Sequence, residues 1–83
     1  MEIEFPQFRK YPNNKSFFKV FSPDEFEEIQ VLGKNYLKTR IKAKILPDRN
    51  FIADMIAAEN NWVKMEAKEY DEISKKAGLN SNN

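Results

Sequence analysis

The residue types that most often do chemistry are sparse in this chain. Histidine and cysteine are both absent from its 83 residues. Their absence removes the commonest general base, the commonest nucleophile–base pairs and nearly every transition-metal site. Carboxylates remain, and Asp24, Glu25, Glu27 and Glu28 form a dense group. As a site, that group would offer oxygen ligands to a hard cation. As structure, it is negative charge gathered at the start of a helix, where the dipole favours it. The structural reading is preferred, because no calcium-loop spacing with its central glycine is present. Gly33 and Gly78 are the only glycines, and they lie too far apart for a phosphate-cradling loop. Ser16, Ser22, Ser74 and Ser81 sit in no nucleophile-like context. The sequence predicts a protein that is not an enzyme and takes no metal or cofactor.

Two other groups point to binding. Tyr36, Lys38, Arg40, Lys42 and Lys44 alternate with Leu37, Thr39, Ile41, Ala43 and Ile45. In a strand this spacing sets the cations on one side, about 6.6 Å apart. Lys19, Phe17 and Phe21 can join them if the strands pair. Cations interleaved with aromatics on a sheet suit single-stranded nucleic acid or RNA. The same row also serves as a solvated outer face, as protection of a sheet edge, or as a complement to the acidic segment 23–32. A net charge of +1 favours these plainer roles. The second group is aromatic. Eight of eleven aromatic residues fall within positions 1–36. Phe8, Phe17, Phe18 and Phe21 make a candidate protein interface, since a two-stranded ribbon has only one face for the core. The competing role is burial, because a small core needs large rings. Trp62 reads as a core anchor.

The elements that position these groups follow from the pattern. Residues 3–10, interrupted by Pro6, read as an edge or bulged strand. Pro12-Asn13-Asn14-Lys15 is a turn, and residues 16–21 form the second strand of a hairpin. Ser22-Pro23-Asp24-Glu25 carries the marks of a helix start, with a capping serine, a proline at the first position and a glutamate that completes a capping box. A helix over 23–32 ending at Gly33 is therefore predicted. The alternation of Glu27, Ile29 and Val31 with Glu28 and Gln30 leaves a strand over 26–32, turning at Gly33-Lys34-Asn35, as the alternative. Residues 36–46 are the clearest strand. Pro47-Asp48 opens a helix with Phe51, Ile52, Met55 and Ile56 on its buried stripe and a stop at Asn60-Asn61. Residues 62–65 read as a short strand or connector. A last helix over 67–77 carries Tyr70, Ile73 and Ala77 on one face and ends at Gly78.

The expected fold is α+β: a small antiparallel sheet, built from the N-terminal hairpin plus strand 36–46, packed against two or three helices in a single layer pair. The order is β-β-α-β-α-α, or β-β-β-β-α-α if 26–32 is a strand. Composition agrees, with 41% hydrophobic and 33% charged residues. One domain over 1–78 with a flexible tail over 79–83 is expected. Residues 1–46 carry nine cations and six anions, whereas 47–83 carry five and seven, a mild asymmetry. The acidic N-terminus and missing cysteines predict a soluble, non-secreted, cytoplasmic protein. No apolar run approaches the roughly 20 residues of a membrane helix.

The string Phe26-Glu27-Glu28-Ile29-Gln30-Val31-Leu32-Gly33, with Ala43-Lys44-Ile45-Leu46-Pro47-Asp48-Arg49 and Asp54-Met55-Ile56, resembles small uncharacterised bacterial proteins of about this length. The resemblance spans roughly residues 5–65 and implies no activity. The sequence thus leads to a non-enzymatic binding or accessory module that acts through protein contacts, self-association included. Binding of nucleic acid by the 36–44 face is the alternative.

Overall fold

In the computed structural model the described residues are 4–58 and 62–80, with the side chains of 79 and 80 left aside. Strands β1 (Gln7–Lys10), β2 (Ser16–Ser22), β3 (Glu25–Leu32) and β4 (Asn35–Lys42) are followed by α1 (Leu46–Ala57), β5 (Val63–Lys64) and α2 (Ala67–Asn80). The strands form one sheet in the order β4-β3-β2-β1-β5, and the pairings are antiparallel. The fold is therefore α+β, as the pattern of elements predicts. Neither helix is long and apolar enough to cross a membrane.

The helix predicted over 23–32 is corrected to strand β3. Its apparent cap is a hairpin turn. Ser22 pairs with Glu25 across a two-residue loop, the Ser22 hydroxyl donates to Asp24 Oδ1 at 2.6 Å, and the Asp24 N–H donates to Ser22 Oγ at 3.3 Å. Serine, proline and aspartate stabilise turns and helix starts by the same local hydrogen bonds, so the motif alone does not choose. The sheet chooses, because β3 has a neighbour on each side. At its other end Gly33, with φ +63°, occupies the first central position of the loop between Leu32 and Asn35, as a primed hairpin turn requires.

The layering also differs from the expected single pair. Phe17 and Phe18 are consecutive in β2 and so point to opposite faces. Phe18, Val20, Phe26 and Ala43 pack with Ile52 and Met55 of α1, while Phe17 and Ile29 pack with Tyr70 and Ala77 of α2. Two helices thus cover opposite faces of one sheet. Tyr70, Ile73 and Ala77 do face the core.

Smaller boundaries shift. The first strand is Gln7–Lys10 rather than 3–10, and Ile3 lies outside the described residues. The fourth strand is Asn35–Lys42 rather than 36–46, which leaves Lys44 beyond its end. Helix α1 closes at Ala58, whose φ of 54° lets its N–H reach the Met55 carbonyl. The stop expected at Asn60-Asn61 lies outside the described residues. Gly78 does not terminate α2, which runs to Asn80, so positions 79 and 80 of the expected tail are helical. Positions 81–83 lie outside the described residues.

Candidate functional site

Strand β4 is one edge of the sheet and holds eight residues, against two in β5 at the opposite edge. Its ladder to β3 is regular, from Leu32↔Asn35 to Glu25↔Lys42. The Ala43 N–H continues that ladder, donating to the Asp24 carbonyl at 2.6 Å. Backbone groups alternate sides along an antiparallel strand. The N–H and C=O groups of Leu37, Thr39 and Ile41 therefore turn to β3, and those of Tyr36, Lys38, Arg40 and Lys42 turn to the free edge. Four of the five residues of the predicted basic face, all but Lys44, are the ones that present main chain outward.

The side chains of that face share it with acids. Glu27 lies opposite Arg40 and Glu25 opposite Lys42. Diagonal reach then makes the contacts: Arg40 Nε donates to Glu25 Oε2 at 2.7 Å, and Lys38 Nζ stands 4.0 Å from Glu27 Oε1. Lys38 Nζ also donates to Ser74 Oγ of α2 at 2.8 Å. The buried Tyr70 hydroxyl donates to Glu27 Oε1 at 2.9 Å. Burial, then its bond to Glu27 and the charges of Glu27 and Asp71, push the Tyr70 phenol well above its usual range. Tyr36 packs partly buried beside Ile73 and Phe17 in the α2 core. Lys42 and Lys44 are exposed and form no ion pair among the described residues. Asp24, at the neighbouring turn, is held below the usual carboxylate range by the Ser22 hydrogen bond first, and by Lys42 and Arg49 after it. The predicted row of five is therefore divided. Tyr36 belongs to a core, Lys38 and Arg40 face acids, and Lys42 and Lys44 face water.

The four candidate aromatics are divided as well. Phe17 and Phe18 are core residues. Phe8 is half-buried with its ring 5.4 Å from that of Tyr70. Phe21 falls at a register shift of β2, between Val20 and Ser22. Its ring centroid lies 5.3 Å from Lys19 Nζ and 4.2 Å from the Arg40 guanidinium carbon, in cation–π contact with both. Trp62 stacks on Tyr11 at 4.8 Å and meets Phe18 and Phe51 edge-on, in the anchoring role its type suggests.

The large apolar side chains that remain exposed lie elsewhere. Leu37 is 49% exposed on β4, Leu32 is 48% exposed at the hairpin end, and Ile45 and Leu46 are exposed just past β4. The strict alternation of 36–46 contains this signal, since the face opposite the cations is apolar; what it lacks is the edge position of the strand. No family model matches the chain, and comparison with curated proteins and with solved structures finds no match.

Proposed function

We propose that this protein is a non-enzymatic binding module that acts through protein contacts, and that strand β4 is where it makes them. The observation that carries the reading is an eight-residue edge strand with four outward-facing main-chain positions and the exposed Leu37. Such an edge is a template for an added strand: main-chain bonds supply affinity and alternate side chains supply selectivity. Nucleic-acid binding by the same strand has less support. Tyr36, the aromatic of that row, is drawn into the α2 core and is not presented for stacking on a base.

Panning a random peptide library on the immobilised protein tests the reading. Selected peptides are expected to lose binding to an Arg40→Pro variant. That substitution removes an outward N–H while leaving the ladder to β3 intact, which an edge strand tolerates. Selected peptides that bind both forms equally would contradict docking at β4.

A further inference from the structure

Resting on the reading of β4 as a docking edge, we infer that its partner is an acidic strand: an extended protein segment with carboxylates at alternate positions on the α2 side and apolar residues between them.

The main chain sets the register. An antiparallel strand added to β4 forms its hydrogen-bonded pairs at Tyr36, Lys38, Arg40 and Lys42. The residue opposite each of these shares its face. Three of the four opposing positions therefore meet a cation. Strand β3 is the internal example of what satisfies this row. On the α2 side it places Glu25 and Glu27 opposite Lys42 and Arg40, with Ile29 and Val31 opposite Lys38 and Tyr36; its remaining carboxylate, Glu28, lies opposite Thr39 on the other face. Two carboxylates do not exhaust the cations. Arg40 bonds Glu25 through Nε, and its two Nη groups make no hydrogen bond among the described residues. Lys42 forms no ion pair there. On the opposite face Leu37, Thr39 and Ile41 ask for apolar or β-branched neighbours.

The same geometry opposes a second copy. Two β4 strands related by a two-fold axis normal to the sheet keep their faces aligned, so positions of equal parity meet. Centred on Thr39, Lys38 faces Arg40 and Tyr36 faces Lys42. Other registers of this kind also bring cations together, and like charges directly opposite are destabilising. A phosphate backbone matches the charge, yet it offers no alternating donor and acceptor to the outward N–H and C=O groups.

Fluorescence anisotropy on the full chain decides the matter. The probe is a labelled synthetic peptide alternating Glu with Val and Ile. The controls are the same peptide with Gln for Glu, the same with Lys for Glu, and an unlabelled oligothymidine as competitor. The Glu peptide is expected to bind, to weaken as salt rises, and to lose roughly tenfold on Glu→Gln exchange. Lys42→Gln should weaken it by about threefold. The Lys peptide should not bind. Equal binding of the Glu and Gln peptides overturns the acidic partner but leaves docking at β4 standing. No binding by any of these peptides, when library-selected peptides do bind the edge, overturns it too. Displacement of the Glu peptide by oligothymidine at equal concentration assigns the row to nucleic acid and overturns the proposal. So does a dimer by light scattering whose formation blocks the peptide.

Discussion

Arg9 donates from Nε to the main-chain oxygen of Met55 at 2.7 Å, inside the core that α1 forms with the sheet. Its Nη2 reaches the Ile56 carbonyl at 3.2 Å and Gln7 Oε1 at 3.0 Å, and its Nη1 reaches the Phe8 carbonyl at 2.7 Å. The side chain is 4% exposed and carries no carboxylate partner among the described residues. The last carbonyls of a helix bear partial negative charge and lack partners within it. Arg9 adds a second donor at the Met55 carbonyl beside the Ala58 N–H, supplies one at Ile56 and brings the opposite charge, and burial lowers its pKa from the ordinary arginine value. One side chain thus joins β1 to the end of α1.

Arg9→Met should therefore destabilise the fold by about 1–3 kcal/mol, because it removes both side-chain bonds from β1 to the end of α1 and takes the guanidinium donor from the Ile56 carbonyl, while the Met55 carbonyl keeps the Ala58 N–H. Urea denaturation followed by circular dichroism measures this. A loss under about 0.5 kcal/mol would contradict a stabilising tie between β1 and α1 through Arg9.

The Tyr70 phenol sets a second expectation, at alkaline pH. Its folded pKa is raised above the unfolded value, by burial first and by Glu27 next. Its contribution to stability is then complete below the unfolded value of about 10 and declines as pH rises beyond it, by up to about 1.4 kcal/mol per pH unit. Tyr70→Phe should cost about 1 kcal/mol near neutral pH and flatten that decline. Tyr11, raised by burial and then by Glu28, keeps part of the slope in the variant. Denaturation midpoints at neutral and alkaline pH check both parts. An unchanged slope would contradict the assignment.

Phe18 and Phe21 should separate cleanly. Phe18 is 1% exposed and touches the rings of Tyr11, Phe26, Phe51 and Trp62. Phe18→Ala should cost about 3–5 kcal/mol, enough to unfold much of a domain this small. Phe21→Ala removes a half-buried ring in contact with two cations and should cost about 1 kcal/mol. Thermal melts compare them, and similar losses would contradict the difference in burial.

These residues also show where the sequence was legible. The alternation of 36–46 identified β4, its apolar side and its cationic side, because period two survives in isolation. The stripe Tyr70, Ile73, Ala77 identified the buried side of α2 through the 3.6-residue period of a helix, which is equally local. Arg9 was opaque. An arginine in a strand reads as solvent-facing, and only its pairing with Phe18 places it on the α1 side. The run Phe17-Phe18 held a clue to a sheet covered on both faces, since adjacent buried residues in a strand need two cores. The turn at Pro23-Asp24 was ambiguous because local hydrogen bonding, not packing, writes that motif. That β4 ends the sheet depends on strand order, which no local pattern carries.

The docking of a strand at β4 is tested most directly by amide hydrogen exchange, measured residue by residue with and without the Glu-alternating peptide. The amides of Tyr36, Lys38, Arg40 and Lys42 face the open edge, whereas those of Leu37, Thr39 and Ile41 are already bonded to β3. On peptide binding the first four should become protected, with little change at Val63 and Lys64 on the opposite edge. Protection at β5 or along either helix, with those four amides still exchanging freely, would contradict the account.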